Sequence, residues 1–344
     1  MKQHLPANNN AMRRLVFLSI LLAIVVIGLG AYTRLTHAGL GCPDWPTCYG
    51  LLDVPETSVQ ISAAEQAFPE RPVEPEKAWN EMIHRYFAGS LGLFILAIAV
   101  VAIKQRKQGT PVKLPLALLC LVIFQAALGM WTVTMKLMPI VVMGHLLGGF
   151  TTLCLLFLLY LRLKPGLASA TNTSVKKYRH YAVIGVIILT MQIALGGWTS
   201  SNYAALSCVE LPICQGDWLT QLSFDKTFNP IPEHQESYEF GHLSHDERVT
   251  IHVVHRLGAI ITSLYLMWLA LSVFRKTRNR TIKNASLFMI ILLTAQVGLG
   301  ISNVWFHLPL KVAVAHNLVA AFLMLSLISL TYKLRKNTED VHYG

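Results

Sequence analysis

Long apolar runs alternate with polar connections along the chain. Eight runs of about 20 mostly apolar residues are each long enough to cross roughly 30 Å of hydrocarbon as a helix. They lie at 15–36, 82–103, 114–134, 140–161, 181–201, 250–274, 285–305 and 312–332. The first run follows a short basic stretch but lacks a small-residue cleavage site, so we expect it to be retained. The pattern predicts an all-α membrane protein with eight transmembrane helices and two long polar loops, at 38–79 and 202–248.

Composition and charge add an orientation to this prediction. Of the 344 residues, 53% are hydrophobic and 14% are charged, which excludes an ordinary soluble domain. Lysine and arginine account for 29 residues, and 20 of them fall at the termini and in the short loops, whereas 16 of the 18 acidic residues fall on the opposite side. The positive-inside rule therefore places both termini in the cytoplasm and the long loops on the outer, periplasmic side of the cell (inner) membrane. The net charge of +11 is thus a topology signal. No nucleic-acid motif accompanies it, so we expect no nucleic-acid partner.

The two halves of the sequence repeat each other. One constant shift aligns His84 with His255, Arg85 with Arg256, Gln125 with Gln296, Gly129 with Gly300 and His145 with His316. A slightly smaller shift aligns Gly30-Ala31-Tyr32-Thr33 with Gly196-Gly197-Trp198-Thr199, and Cys42 and Cys48 with Cys208 and Cys214. Because each repeat holds an even number of spans, both halves share one orientation. We expect two tandem four-helix bundles, residues 1–165 and 166–344, related by pseudo-two-fold symmetry.

Four histidines lie inside the even-numbered spans, one or two turns from the outward ends: His84, His145, His255 and His316. An ionisable residue inside a span is costly unless it pairs, lines a cavity or binds a ligand. A hydrogen bond between helices would explain any one of them. Two pairs at one depth favour two haem sites, since neutral imidazoles from opposite helices can supply both axial ligands of a haem iron. Glycines of the odd-numbered spans lie near the same level and would allow close approach or a flat ligand.

Arginines and tryptophans accompany these positions near the outward interface. Arg85 and Arg256 directly follow a histidine. They are candidates for paired hydrogen bonds to haem propionates, and snorkelling to lipid headgroups is the alternative. Trp131, Trp198 and Trp305, at outward helix ends, predict an aromatic belt.

Glu81 distinguishes the first half from the second. It precedes His84 by three residues, nearly one helical turn, so the two side chains share a helix face. The second half has His252 at this position. A site that only carried electrons would not need a carboxylate there, so we expect the chemistry in the first half. The alternative is a glutamate near a helix start, where the macrodipole favours a negative charge.

Four of the six cysteines lie in the two long loops, as Cys42-x5-Cys48 and Cys208-x5-Cys214. In an oxidising compartment this matched spacing predicts two local disulfides, with metal ligation and free thiols as alternatives. The second loop also holds His234, His242 and His245. These histidines are compatible with a copper site, although solvated side chains are the simpler interpretation.

On these motifs the sequence resembles the haem A synthase family of bacterial and mitochondrial membranes, over nearly the whole chain. The motifs are Gly30-Ala31-Tyr32-Thr33-Arg34-Leu35-Thr36, the Cys42/Cys48 loop, Glu81-Met82-Ile83-His84-Arg85, Met143-Gly144-His145, Ile251-His252-Val253-Val254-His255-Arg256 and Val314-Ala315-His316-Asn317. The resemblance implies conversion of haem O to haem A, by oxidation of a porphyrin methyl group to a formyl group, for terminal oxidases. It also implies roles for single residues: His84 and His145 as ligands of the substrate haem, His255 and His316 as ligands of a haem B cofactor, Glu81 as catalytic carboxylate, and Cys42 and Cys48 as a loop disulfide.

Two other functions would use the same four histidines. One is a di-haem membrane cytochrome that carries electrons, against which Glu81 and the unlike halves argue. The other is a non-catalytic haem-handling or oxidase-assembly protein, against which the absence of a tryptophan-rich outward motif argues. The expected partners are haem O, the lipid bilayer, haem O synthase and terminal oxidase assembly factors, and a homo-oligomer is compatible with the sequence.

Overall fold

The computed structural model describes residues 9–164, 175, 177–212 and 214–339. Within these ranges the chain forms nine α-helices and a short 3-10 helix, Arg106–Gln108. The α-helices are α1 (Asn9–Leu35), α2 (Ser58–Ala67), α3 (Pro75–Lys104), α4 (Lys113–Thr134), α5 (Pro139–Leu163), α6 (Tyr178–Ser201), α7 (His245–Lys276), α8 (Arg280–Trp305) and α9 (Leu310–Glu339). All but α2 are long and apolar enough to cross a membrane, which confirms the eight predicted spans. The predicted boundary between the halves, at 165/166, lies outside the described residues.

Several helices begin earlier than their apolar runs, and two of these starts bear on the functional site. Helix α3 begins at Pro75 and not near 82, and α7 begins at His245 and not near 250. Proline suits the first helical position because its fixed φ is helical and no hydrogen bond from its nitrogen is needed. Ser244 and Glu247 form a capping box that starts α7. The added turns are polar, so the hydropathy pattern missed them, and Glu81 consequently lies inside α3 and not at its start.

The spanning helices form two rings of four. In the first ring α1 packs on α3, α3 on α4, α4 on α5, and α5 on α1; helices α6 to α9 pack in the same cyclic order in the second. The histidine-bearing helices therefore face each other across each ring, α3 opposite α5 and α7 opposite α9. The rings meet through α1, α5, α6 and α9. The pseudo-two-fold symmetry that relates the two units stays a prediction.

Each ring has an apolar core in the half of the bundle nearest the basic loops. Leu118 and Leu156 are fully buried in the first core, and Leu266 and Met289 in the second. The histidines lie in the opposite half of each ring, next to the two long loops that are predicted to face outward. Apolar packing therefore holds the helices together near the basic loops, and the polar side chains lie at the opposite end of each ring.

Local backbone geometry at the outward helix ends recurs between the halves. His37 and Tyr203 occupy equivalent positions of the repeat, and both have φ of 54°. Lys136 and His307 form a second equivalent pair, with φ of 48° and 55°. These are left-handed conformations that non-glycine residues seldom adopt. The backbone thus repeats at the same offsets as the sequence.

The two outward loops contact each other. Arg71 of the first loop donates to Glu239 of the second at 2.8 Å, and this hydrogen bond raises the pKa of the Arg71 guanidinium. The His37 ring stacks on Tyr203, with centroids 5.7 Å apart, and packs against Phe240 at 5.5 Å. Burial, with the nearby Arg34 charge, lowers the pKa of His37 below its ordinary value. These contacts form one cap over both rings.

Candidate functional site

His84 and His145 face each other across the first ring. Their ring centroids are 6.4 Å apart and the ring planes are nearly perpendicular, at 85°. The Nδ1 atom of each ring is buried and makes no hydrogen bond within the described residues. Two metal–imidazole bonds of roughly 2.0–2.1 Å each, together with the two ring radii, span about this separation. The pair therefore fits a single metal ion held between opposite helices, as in a bis-histidine haem.

Each of the four histidines packs its Cε1 edge against a glycine of a neighbouring helix. A Cβ atom would lie 3.0 Å from this edge at Gly30 beside His84, 3.5 Å at Gly129 beside His145, 3.3 Å at Gly196 beside His255 and 3.3 Å at Gly300 beside His316. A side chain at these glycines would crowd the ring, most severely at Gly30. As predicted, these glycines allow a close approach, and the group that approaches each of them is an imidazole ring.

The histidines of the second ring have side-chain partners that those of the first ring lack. The amide nitrogen of Gln192 lies 3.1 Å from Nδ1 of His255 and donates to the His255 carbonyl oxygen at 3.0 Å. The amide nitrogen of Gln296 lies 3.2 Å from Nε2 of His316. In the first ring the corresponding Gln125 leaves its buried amide nitrogen without a partner among the described residues. The histidines of the two rings therefore have different hydrogen-bonding environments.

The sequence did not single out Gln192. It lies at the position that Val26 occupies in the first repeat, so the alignment of the halves gave no match there. The available signal was an amide side chain in the middle of an apolar run. Gly258 makes room for it, since a Cβ there would lie 2.4 Å from the Gln192 side chain.

Glu81 is a buried carboxylate, 5% exposed, enclosed between α3 and the first loop. It accepts a hydrogen bond from the backbone N–H of Cys42 at 3.0 Å and another from Arg85, one turn later, at 2.5 Å. The loop can approach this closely because of Gly41, where a Cβ would lie 2.5 Å from the backbone of Lys77. A buried carboxylate is costly unless it is paired and hydrogen-bonded, and these two hydrogen bonds hold Glu81 in one position. Its counterpart His252 is buried too, at 4% exposure.

Arg85 and Arg256 fasten the cysteine loops to their helices. Arg85 donates to the Thr47 carbonyl oxygen at 2.7 Å. Arg256 donates to the carbonyl oxygens of Cys208 at 2.6 Å and Glu210 at 2.8 Å. The sequence predicted contacts of these arginines with haem propionates or with lipid headgroups, and the contacts with loop carbonyl oxygens are neither of these. The propionate contacts stay a prediction.

Both loop disulfides are present. Cys42 joins Cys48, and Cys208 joins Cys214, with Cα atoms 4.8 and 4.9 Å apart. This confirms the pairing predicted from the matched spacing. Within the described residues there is no group of three or more histidine, cysteine or acidic side chains placed to hold a metal ion, so the loop histidines gain no support as a copper site.

The aromatic-belt prediction is wrong for one of its three tryptophans. Trp198 is buried, at 7% exposure, and its indole N–H donates to the Thr227 carbonyl oxygen at 2.9 Å. The second loop folds over this helix end and covers the indole, which a reading of the span alone does not anticipate. Trp305 is 67% exposed, as a belt residue would be.

Comparison with known proteins places these features in one family. The profile of the COX15-CtaA family, described as cytochrome oxidase assembly protein, matches residues 13–328. A protein of Shewanella oneidensis named Heme A synthase is 52% identical over 318 residues, which cover 92% of this chain and 95% of that protein.

More distant relatives with the same name match at similar length. The Heme A synthase of Chelativorans sp. is 27% identical over 88% of this chain and 85% of its own length. The Heme A synthase of Halalkalibacterium halodurans is 24% identical over 91% of this chain and 94% of its own length. Since the family profile covers most of the chain and a relative matches it over nearly its full length, this chain belongs to the cytochrome oxidase assembly protein (COX15-CtaA) family.

Proposed function

We propose that this protein is an oxidoreductase of the cell membrane that oxidises a methyl group of haem O to a formyl group and so makes haem A. The name shared by its relatives supports the reaction. The observation that carries the proposal is the opposed pair His84 and His145, 6.4 Å apart, on the ring that also holds the buried Glu81. One helix, α3, supplies both an axial imidazole and the carboxylate three residues before it.

The first ring is the proposed substrate site. His84 and His145 would ligate the iron of haem O from opposite sides, and Gly30 and Gly129 keep the two imidazoles close to the neighbouring backbones. Ligation by both histidines would hold the porphyrin between α3 and α5. With the iron held, the methyl group to be oxidised has a defined position relative to the chain, which is the contribution of orientation to catalysis.

The second ring is the proposed cofactor site. His255 and His316 would hold haem B, each through a ring nitrogen that is free of its neighbouring glutamine when the haem is bound. The Gln192 amide contacts Nδ1 of His255 and leaves Nε2 free, whereas the Gln296 amide contacts Nε2 of His316 and would move away if that nitrogen bound the iron. When bound, haem B supplies a one-electron acceptor close to the substrate site. Hydrogen bonds to axial imidazoles adjust ligand basicity and so the reduction potential of the iron.

The chemistry proposed for the first ring occurs at one carbon atom. Two successive hydroxylations would convert the methyl carbon to a geminal diol, which loses water to leave the aldehyde. With water as the oxygen source, the overall change consumes one water molecule and releases four protons and four electrons, and an electron acceptor outside the chain would receive the electrons one at a time through the second ring. Glu81 accepts a proton released at this carbon or stabilises positive charge that develops there. The Cys42 N–H and the Arg85 guanidinium hold the carboxylate in place, and its burial under the first loop excludes bulk water.

Haem analysis tests the function directly. We expect cells that express the chain and are supplied with haem O to contain haem A, identified by extraction and mass analysis. A matched culture expressing Glu81→Ala should accumulate haem O instead. Haem B alone, with haem O unchanged in the cells expressing the wild-type chain, would contradict the proposal and favour a di-haem electron carrier. On the proposed reaction, haem O synthase delivers the substrate and terminal oxidase assembly factors receive the product.

A further inference from the structure

A polar cavity lies at the opposite end of the bundle from the histidines. It has a volume of about 400 Å³ and lies where α8 begins and α9 approaches its end. Its polar lining comes from Arg280, Thr281, Asn284, Ser326, Ser329 and Lys333. None of the groups proposed for haem chemistry reaches it, and it lies at the end of the bundle that carries the basic loops.

The cavity carries positive charge without a matching negative charge. Arg280 and Lys333 both line it, and no aspartate or glutamate does. Within the described residues, no carboxylate forms an ion pair with either of them. Lys164, at the end of α5, adds further repulsion to Lys333. Arg280 is exposed, whereas Lys333 is partly buried. Because a partly buried cation without a counter-ion is unfavourable, the site is suited to take up an anion.

Neutral hydrogen-bonding groups complete the lining. Thr281, Asn284 and Ser329 line the cavity, and none of the three is buried, so their donors can reach a ligand. The backbone N–H groups of Thr281 and Ile282 are already taken by the Asn279 side chain. The recognition therefore depends on side chains, two cationic and three neutral. This set suits a phosphate group, which has several strong acceptor oxygens.

The place of the cavity indicates which phosphate it receives. It opens between two membrane-spanning helices at their basic ends, at the level of the lipid headgroups, and the positive-inside rule predicts that these ends face the cytoplasm. Phe288 also lines it and is 52% exposed, which provides an apolar wall for an acyl chain. Basic pockets between spanning helices on the cytoplasmic side typically bind anionic headgroups. We propose that this cavity binds the phosphate headgroup of an anionic phospholipid of the inner leaflet.

Native mass spectrometry of the full chain in detergent tests this proposal, with phosphatidylglycerol and phosphatidylcholine as probes. We expect phosphatidylglycerol adducts on the wild-type protein and few phosphatidylcholine adducts. Arg280→Gln and Lys333→Gln should each weaken phosphatidylglycerol binding roughly fivefold, and the double variant about 25-fold. The matched control is Arg106→Gln with Lys107→Gln, which removes the same charge from another basic loop outside the cavity and should leave binding unchanged.

Additional variants and ligands test the alternatives to this proposal. Lys333→Arg retains the charge and should retain binding, which separates loss of the ligand from loss of the fold. Equal loss in the cavity and control double variants, or equal binding of both lipids, would overturn the proposal. Displacement of phosphatidylglycerol by millimolar inorganic phosphate would assign the cavity to a free anion and overturn the lipid assignment.

Discussion

Glu81 receives its two hydrogen bonds from different parts of the chain. Arg85 belongs to the same helix, whereas the Cys42 N–H belongs to the first loop. The carboxylate is therefore positioned by a local contact and by loop closure together. Its repeat counterpart, His252, is equally buried but lacks the charge, which is why the proposed chemistry is confined to the first ring.

Substitutions of Glu81 distinguish a charge-based role from a packing role. We expect Glu81→Ala to keep haem at both proposed sites, because the four histidines remain, while formyl formation falls by about 10²–10⁴. Glu81→Asp should retain more activity than Glu81→Gln, because only Asp keeps the charge. The measurement is haem A formed per haem-loaded protein, and Glu76→Gln, an exposed change on the same helix, is the control. More activity in Gln than in Asp would refute the charge-based role.

Axial ligation by the second ring is testable by spectroscopy alone. His255→Ala or His316→Ala should remove the low-spin haem B absorption spectrum of the purified protein, because one lost ligand leaves the iron five-coordinate or unbound. His180→Ala, an exposed histidine at the other end of α6, should leave the spectrum unchanged. An intact low-spin spectrum in both ligand variants would show that the assignment is wrong.

At the scale of whole elements, the two cysteine loops are fastened in the same way but attach to different residues. Each disulfide closes a short loop, and Arg85 and Arg256 bind the loop carbonyl oxygens. Among the described residues of the two cysteine loops, only the first loop also donates a backbone N–H to a buried carboxylate of its helix, Glu81. The two loops are therefore matched elements whose removal should have different consequences.

Removal of each disulfide tests this difference. Replacing Cys42 and Cys48 with Ser should lower formyl formation at unchanged haem B content, since the Cys42 N–H then no longer holds Glu81 firmly. The same change at Cys208 and Cys214 should lower haem B retention first, because that loop is bound to Arg256, next to the proposed ligand His255. The measurements are turnover and haem B content of the purified variants. Identical losses in the two double variants would contradict separate roles for the loops.

Much of this arrangement was predictable, because the signals were local or repeated. Apolar runs of sufficient length gave the eight spans, and matched spacing gave the pairs Cys42–Cys48 and Cys208–Cys214. Helix starts were missed at Pro75 and His245, although the proline and the capping box were visible, because the added turns are polar.

The contacts that a loop makes when it closes could not be predicted. Nothing in the sequence near Glu81 shows that the Cys42 N–H, 39 residues earlier, reaches it. The same holds for Trp198, covered by a loop carbonyl 29 residues later. Such contacts depend on the path of the loop over the helix ends, which hydrophobic periodicity does not describe.

At the scale of the whole molecule, the two rings are joined at the outward side by side-chain contacts as well as by helix packing. Arg34 of α1 donates to the Ser200 carbonyl oxygen of α6 at 2.5 Å. Arg71 pairs with Glu239, and His37 packs between Tyr203 and Phe240. The cap is therefore part of the interface between the halves.

This interface should respond to acid through His37. Its pKa lies below the ordinary value of 6.5, mainly because of burial, with the Arg34 and Lys77 charges acting in the same direction and Glu239 opposing them. The unfolded chain then binds a proton that the folded chain does not, so stability falls as the pH drops below about 6.5 towards the lowered pKa, and no such effect occurs above about pH 7.5.

The measurement is the midpoint of thermal unfolding at pH 7.5 and pH 5.5. We expect a larger decrease for the wild-type protein than for His37→Asn, since asparagine tolerates the left-handed backbone of this position. His242, whose pKa is also lowered by burial, remains in both proteins and provides the common background. An equal decrease in both proteins would exclude His37 as the acid-sensitive group.

The register of the four histidines has an energetic consequence for turnover. All four lie on helices that begin at the outward end, between six and ten residues after the helix start, so an electron passing from the first proposed haem site to the second travels sideways within one leaflet. An elementary charge gains about 2.3 kcal/mol per 100 mV only when it crosses the whole membrane. This transfer should therefore be nearly insensitive to an applied membrane potential.

The measurement uses proteoliposomes polarised with potassium and valinomycin. The rate of electron exchange between the two haems should match the rate in unpolarised vesicles. A steep voltage dependence would place the two sites at different depths.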